Sequence, residues 1–170
     1  MPVSRRIRDA RRTTRQVLGI AIALLLLVTG FVTWLAPKES EKPQAVLFMP
    51  LDCSTCRLYA AYLRNHGFRV QAIEVGDMAA IRARYRIPRT FEAPQVAVID
   101  GVFFEGHVPA RDVRQFLGPR NRGRARGLIV PGTPRGAPGL SSAFAEPYTV
   151  YLVRGGGLIQ PVKTYNHGFH

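Results

Sequence analysis

Ala45-Val46-Leu47-Phe48-Met49-Pro50-Leu51-Asp52-Cys53-Ser54-Thr55-Cys56 sets an apolar run, a break and two cysteines in immediate succession. Five consecutive apolar residues read as a short buried strand. Pro50-Leu51-Asp52 interrupts it, and the cysteines open a helical stretch. In that stretch Leu58, Ala61 and Tyr62 fall on one face, and Gly67 offers a C-terminal stop. A C-x-x-C between a strand and a helix has a physical use. The helix N-terminus stabilises a thiolate on the first cysteine, and the second lies one turn on, within reach to close a disulfide.

Working outward, Val70 to Val75 reads as a second strand. Asp77 caps a short helix through Tyr85, on which Met78, Ile81 and Tyr85 share a face. Val96-Ala97-Val98-Ile99 is a third strand. Asp100-Gly101 is a hairpin signal leading into Val102-Phe103-Phe104. Pro109 opens a last helix through Leu117. The order β-α-β-α-β-β-α over 45–117 is the thioredoxin-like arrangement. Such folds place a cis-proline before the third strand, and Pro94 stands there, 38 residues after Cys56. Two uses of the cysteines stay open. One is a plain stapling disulfide between Cys53 and Cys56. The other is an oxidoreductase with Cys53 as nucleophile, Cys56 as resolver and Pro94 against the dithiol.

The flanks differ in character. Residues 1–16 hold six arginines and one acid, and Val17 to Ala36 runs twenty residues without a charge. A helix of twenty residues rises about 30 Å, the thickness of a bilayer's hydrocarbon core. By the positive-inside rule the expectation is a single-pass helix over 17–36 in a bacterial inner membrane. The N-terminus is then cytoplasmic and the C-terminal domain periplasmic, after a linker over 37–44. The stretch 118–147 is rich in glycine, proline and arginine and reads as an extension without a packed core. Residues 148–170 read as a terminal hairpin and tail around Gly155-Gly156-Gly157. The expected architecture is therefore α/β: one transmembrane helix, a thioredoxin-like domain, a Gly/Pro/Arg-rich extension and a β-hairpin.

The chain has 170 residues, 24 Lys+Arg against 11 Asp+Glu, a net charge of +13 and two cysteines. It is too apolar for a disordered polycation and too poor in cysteine for a disulfide miniprotein. After Ala36, 18 basic and 10 acidic residues remain. With that part placed outside the cytoplasm, the expected partners are an acidic protein surface or the membrane, not nucleic acid. Arg120, Arg122, Arg124 and Arg126 are the candidate contacts.

Tyr62-Leu63-Arg64-Asn65-His66-Gly67-Phe68, Gly106-His107-Val108-Pro109-Ala110 and Val130-Pro131-Gly132-Thr133-Pro134-Arg135-Gly136-Ala137-Pro138-Gly139-Leu140 stand in one colinear order. In these segments the chain resembles the small periplasmic copper-binding proteins of CopG type, which are thioredoxin-like domains. The resemblance implies copper as the ion and C-x-C-C as the metal motif, but Thr55 occupies the middle cysteine position. The family's Cys-His pair before the third strand is Pro94-Gln95 here. Its loop methionines are Thr133 and Leu140. Of the implied ligands Cys53, Cys56 and His107 remain, enough for one ion and not for a cluster.

The reading that follows is a membrane-anchored accessory subunit, non-catalytic, without a required cofactor, bracing a larger photosynthetic or respiratory membrane complex. Its alternatives are a copper-handling protein using Cys53, Cys56 and His107, and a tethered thiol–disulfide oxidoreductase.

Overall fold

The computed structural model describes residues 19–29, 31, 43–119 and 125–166. The chain divides into two compact units, Met1–Glu41 and Lys42–His170.

In the first unit residues 19–29 form a helix, α1. Among the described residues no helix is long and apolar enough to cross a membrane. The expected transmembrane helix over 17–36, and with it the single-pass inner-membrane placement and periplasmic domain, is corrected on this ground. Of the rest of that span only Phe31, also helical, is described; the others lie outside the described residues.

The second unit is built on one seven-stranded mixed sheet. Its elements are β1 (Gln44–Pro50), α2 (Ser54–Asn65), β2 (Arg69–Val75), α3 (Met78–Tyr85), β3 (Val96–Ile99), β4 (Val102–Glu105), α4 (Ala110–Leu117), β5 (Ala125–Ile129), β6 (Tyr148–Arg154) and β7 (Ile159–Tyr165). The strands lie in the order β2-β1-β3-β4-β5-β6-β7. β1 runs parallel to β2, and β4 parallel to β5; every other pair is antiparallel.

Alternation along the strands sorts the core into two layers. Leu47, Ala97, Ile99, Phe104, Leu128 and Val150 pack with Tyr59 and Leu63 of α2 and with Val113 and Phe116 of α4. Val96, Val98, Phe103, Ile129 and Val153 face the other way, where Met78, Ile81 and Tyr85 of α3 pack against them. Asp77 Oδ1 caps α3, accepting from the Ala79 and Ala80 amides at 2.8 and 3.2 Å. Asp100 and Gly101 make the β3–β4 turn with φ of 50° and 77°.

The C-terminal third departs from the expected architecture. The glycine, proline and arginine content of 118–147 suggests no packed core, yet β5 lies inside it. Leu128, Ile129, Val130 and Ala137 are buried. Gly127 explains how β5 enters. A Cβ there would stand 2.2 Å from the Phe103 carbonyl oxygen, so only glycine lets β5 approach β4 this closely. β6 and β7 pair antiparallel across Gly155–Gly157 and extend the same sheet. β7 is tied to α4 by Asp112, which accepts from Tyr165 Oη and, at 3.2 Å, from Lys163 Nζ.

Candidate functional site

β1 ends at Pro50, and the chain turns through Asp52, whose φ is 57°. Cys53 is the N-cap of α2, and its Sγ accepts from the Cys56 amide at 3.3 Å. Cys53 and Cys56 are joined as a disulfide, with Cα atoms 5.3 Å apart. Cys53 is half-buried and Cys56 wholly buried. Thr55 Oγ1 lies 3.5 Å from Cys53 Sγ. The Asp52 carboxylate points into solvent, with Arg57 3.8 Å away.

The inner cysteine faces β3. Gln95, just before that strand, is wholly buried, and its Oε1 lies 3.5 Å from Cys56 Sγ. Its Nε2 is buried without a hydrogen-bond partner. The Gln95 carbonyl accepts from the Gly106 amide at 2.9 Å, which sets the end of β4 beside it.

His107 follows that glycine and is wholly buried. Its ring stands edge-on to Tyr59, one turn after Cys56 in α2, with centroids 5.1 Å apart. Nδ1 lies 2.9 Å from the Pro138 carbonyl. A carbonyl can only accept, so Nδ1 carries the proton and Nε2 presents a bare lone pair. Nε2 has no partner. The 131–140 loop that supplies Pro138 is held down on α2. A Cβ on Gly139 would meet the Leu58 carbonyl oxygen at 3.0 Å.

Burial lowers the His107 pKa, against the pull of the Pro138 bond. A histidine whose folded pKa lies below its unfolded value, about 6.5, adds stability above that pH and loses it as pH falls through the folded value. The urea midpoint of the oxidised protein should therefore drop between pH 7.5 and pH 5.5. His107→Asn should remove part of that drop. Equal slopes for the two proteins would refute this role.

A second polar group lies on the opposite face. Glu105 Oε1 accepts from Arg82 Nε at 2.7 Å and from the Ala93 amide at 3.2 Å. Arg82 Nη2 donates to the Ala93 carbonyl. Both backbone groups of Ala93, two residues before Gln95, are thus held by one buried ion pair.

The expected site residues are brought together unevenly. Cys53 and Cys56 are paired, and His107 shares their face of the sheet. Even so, among the described residues no three His, Cys, Asp or Glu side chains are gathered as a metal ion would require. No described peptide bond is cis, so Pro94 is trans and is not the cis-proline anticipated for an oxidoreductase. Arg120, Arg122 and Arg124 lie outside the described residues. Arg126 is half-buried and donates to the Tyr85 carbonyl at 2.9 Å, so this guanidinium serves the fold. Gln95 and the Glu105–Arg82 pair went unanticipated as site residues. The available signal was a single polar residue at the edge of each apolar run, Gln95 before Val96–Ile99 and Glu105 after Val102–Phe104.

A family model described as a protein of unknown function, DUF411, matches residues 92–140. Two solved structures titled copper resistance protein copG, forms 1 and 2, are each 30% identical to this chain. Their TM-scores are 0.69 and 0.68, and each alignment covers 74% of this chain and 99% of theirs. The chain belongs to the CopG-type family. No curated protein sequence matches it. The segment matched by the family model contains Gln95, Glu105, His107 and Pro138 but begins after the cysteines. The CopG-type likeness that reaches Cys53 and Cys56 is therefore the structural one.

Proposed function

We propose that this CopG-type chain handles copper, holding one copper(I) ion as cargo through Cys53 and Cys56 once they are reduced, with His107, which is not gathered with them in the oxidised chain, as the third donor. The observation that carries the reading is His107. A buried imidazole whose Nδ1–H is fixed by a backbone carbonyl, leaving Nε2 bare, is how proteins present a histidine to a metal. The donor chemistry agrees, since copper(I) takes thiolates and imidazole. Relatives titled copper resistance proteins support the same ion. A bracing role in a membrane complex draws no support from these observations.

The disulfide imposes a condition. Its sulfurs have no thiolate charge to offer, so two-electron reduction to two thiols must precede loading, and metal binding then releases their protons. The test is a titration with copper(I) against a chromophoric chelator, with a phosphine as reductant. The reduced chain should take up one copper(I), and the oxidised chain should bind at least a hundredfold more weakly. Cys53→Ser and Cys56→Ser should each weaken uptake by the reduced chain about a hundredfold. A reduced wild-type chain that takes no copper(I) would end the reading.

A further inference from the structure

The oxidised cysteine pair leaves a polar group stranded beside it. Gln95 is wholly buried, with Oε1 3.5 Å from Cys56 Sγ and Nε2 without a partner. A disulfide sulfur has no proton to give, so Oε1 gains nothing from that contact. Turning the amide over would leave the oxygen as the unpartnered atom. An amide buried in this state carries a desolvation cost that no hydrogen bond offsets. The Gln95 backbone carbonyl already accepts from the Gly106 amide, so the side chain is not needed to pair the main chain there.

Reduction changes one atom in this contact. A thiol at Cys56 carries an S–H, a weak donor, and Oε1 already stands within reach of it. Gln95 therefore has a partner in the reduced chain and lacks one in the oxidised chain. A group bonded in only one of two states shifts the equilibrium towards that state, by the bond it makes and the burial cost it relieves. The two sulfurs are also unequally exposed. Cys53 is half-buried and Cys56 wholly buried, so an incoming thiolate reaches Cys53 Sγ and Cys56 is the sulfur that leaves.

We propose that Gln95 sets the redox poise of the Cys53–Cys56 pair, making the disulfide easier to reduce by offering Cys56 an acceptor that only the thiol can use. The reductant is a dithiol. One of its thiolates attacks Cys53 Sγ, the Cys53–Cys56 bond breaks, and Cys56 leaves, takes up a proton and donates the new S–H to Gln95 Oε1. The second thiolate of the reductant then attacks the mixed disulfide and releases Cys53, which takes up a second proton. Two electrons and two protons have passed to the pair, and the dithiol has become a disulfide. This role rests on the copper reading for its purpose, since reduction precedes loading, but Gln95 exerts it on the metal-free chain.

The probes are dithiothreitol and glutathione redox buffers, equilibrated with the metal-free chain, the reduced fraction being read as the mass added by thiol alkylation. Gln95→Leu should lower the equilibrium constant for reduction about tenfold, a potential ~30 mV more negative. Gln95→Met is close to glutamine in length and lacks the amide. It should shift the potential the same way, and it decides the matter if the leucine variant fails to fold. Thermal melting separates redox tuning from packing, since either substitution should destabilise the reduced chain more than the oxidised chain. Equilibrium constants within about twofold of wild type in both variants would overturn the proposal, as would equal losses of melting temperature in the two redox states. A reduced wild-type chain that takes no copper(I), with the shift at Gln95 intact, would sink the copper reading and sustain this one. An unchanged potential with normal copper(I) uptake would do the reverse.

Discussion

Gly106→Ala is expected to destabilise the protein by about 3–5 kcal/mol, enough to leave much of it unfolded at 37 °C. Two costs combine. The backbone at Gly106 has φ of 78°, a region alanine enters only with strain of about 1–2 kcal/mol. The added Cβ would also stand 2.0 Å from the Val130 carbonyl oxygen and 3.0 Å from Ala93 Cβ. The first of these neighbours is backbone and cannot rotate aside. It belongs to a tight crossing, where the Val130 amide donates to the Glu105 carbonyl and the Gly106 amide to Gln95, both at 2.9 Å. Relief of the clash must lengthen those bonds and shift Val130, which is wholly buried. Gly101→Ala isolates the conformational part. Its φ of 77° is nearly the same, but nothing lies within 4 Å of its Cβ position. That variant should lose only about 1–2 kcal/mol. Urea denaturation of both variants checks the argument, and equal losses would show that the contact with Val130 carries no cost.

The same crossing explains why part of the fold could be read from the sequence and part could not. β1, α2, β2 and α3 announce themselves locally through an apolar run, a cap at Asp77, a stop at Gly67 and a shared face of Met78, Ile81 and Tyr85. β5 does not. Ala125-Arg126-Gly127-Leu128-Ile129 carries an arginine and a glycine in five residues and sits amid prolines, so composition reads it as loop. It becomes a strand because Gly127 lets it pass against Phe103, a contact across 24 positions of chain that no local pattern encodes. The charge-free stretch 17–36 misled in the opposite direction, since freedom from charge permits a membrane helix without requiring one. At the site, the C-x-x-C could be read because its chemistry depends on local spacing. The resemblance supplied His107 but not the proton on its Nδ1, which Pro138 fixes from 31 residues away. The trans geometry at Pro94 likewise depends on packing. Gln95 was visible only as a departure from a family pattern, and its contact with Cys56 needed the fold.

Arg82→Met should cost about 3–5 kcal/mol at neutral pH, the loss typical of breaking a buried ion pair from one side. Arg82 is 11% exposed and Glu105 not at all. The substitution would leave a carboxylate in the core with only the Ala93 amide to hold it, since Glu105 Oε2 already lacks a partner. Burial pushes the Glu105 carboxyl above its ordinary range even with Arg82 in place, while the Arg82 hydrogen bond and charge pull it back. Without the guanidinium it rises further. A carboxyl with a raised folded pKa contributes stability that is present at low pH and lost as pH rises through that value. The deficit of Arg82→Met should therefore be smallest near pH 4.5 and grow towards pH 7. Adding Glu105→Gln should recover most of it, because the double variant buries no unpaired charge. A loss below about 1 kcal/mol that does not change with pH would instead mark the pair as an ordinary surface bridge. The consequence reaches the site. Arg82 and Glu105 together hold the carbonyl and amide of Ala93, so Arg82→Met should also loosen the segment that carries Gln95 to Cys56. The double variant separates the two effects, since it restores stability while still lacking the Arg82 bond to Ala93.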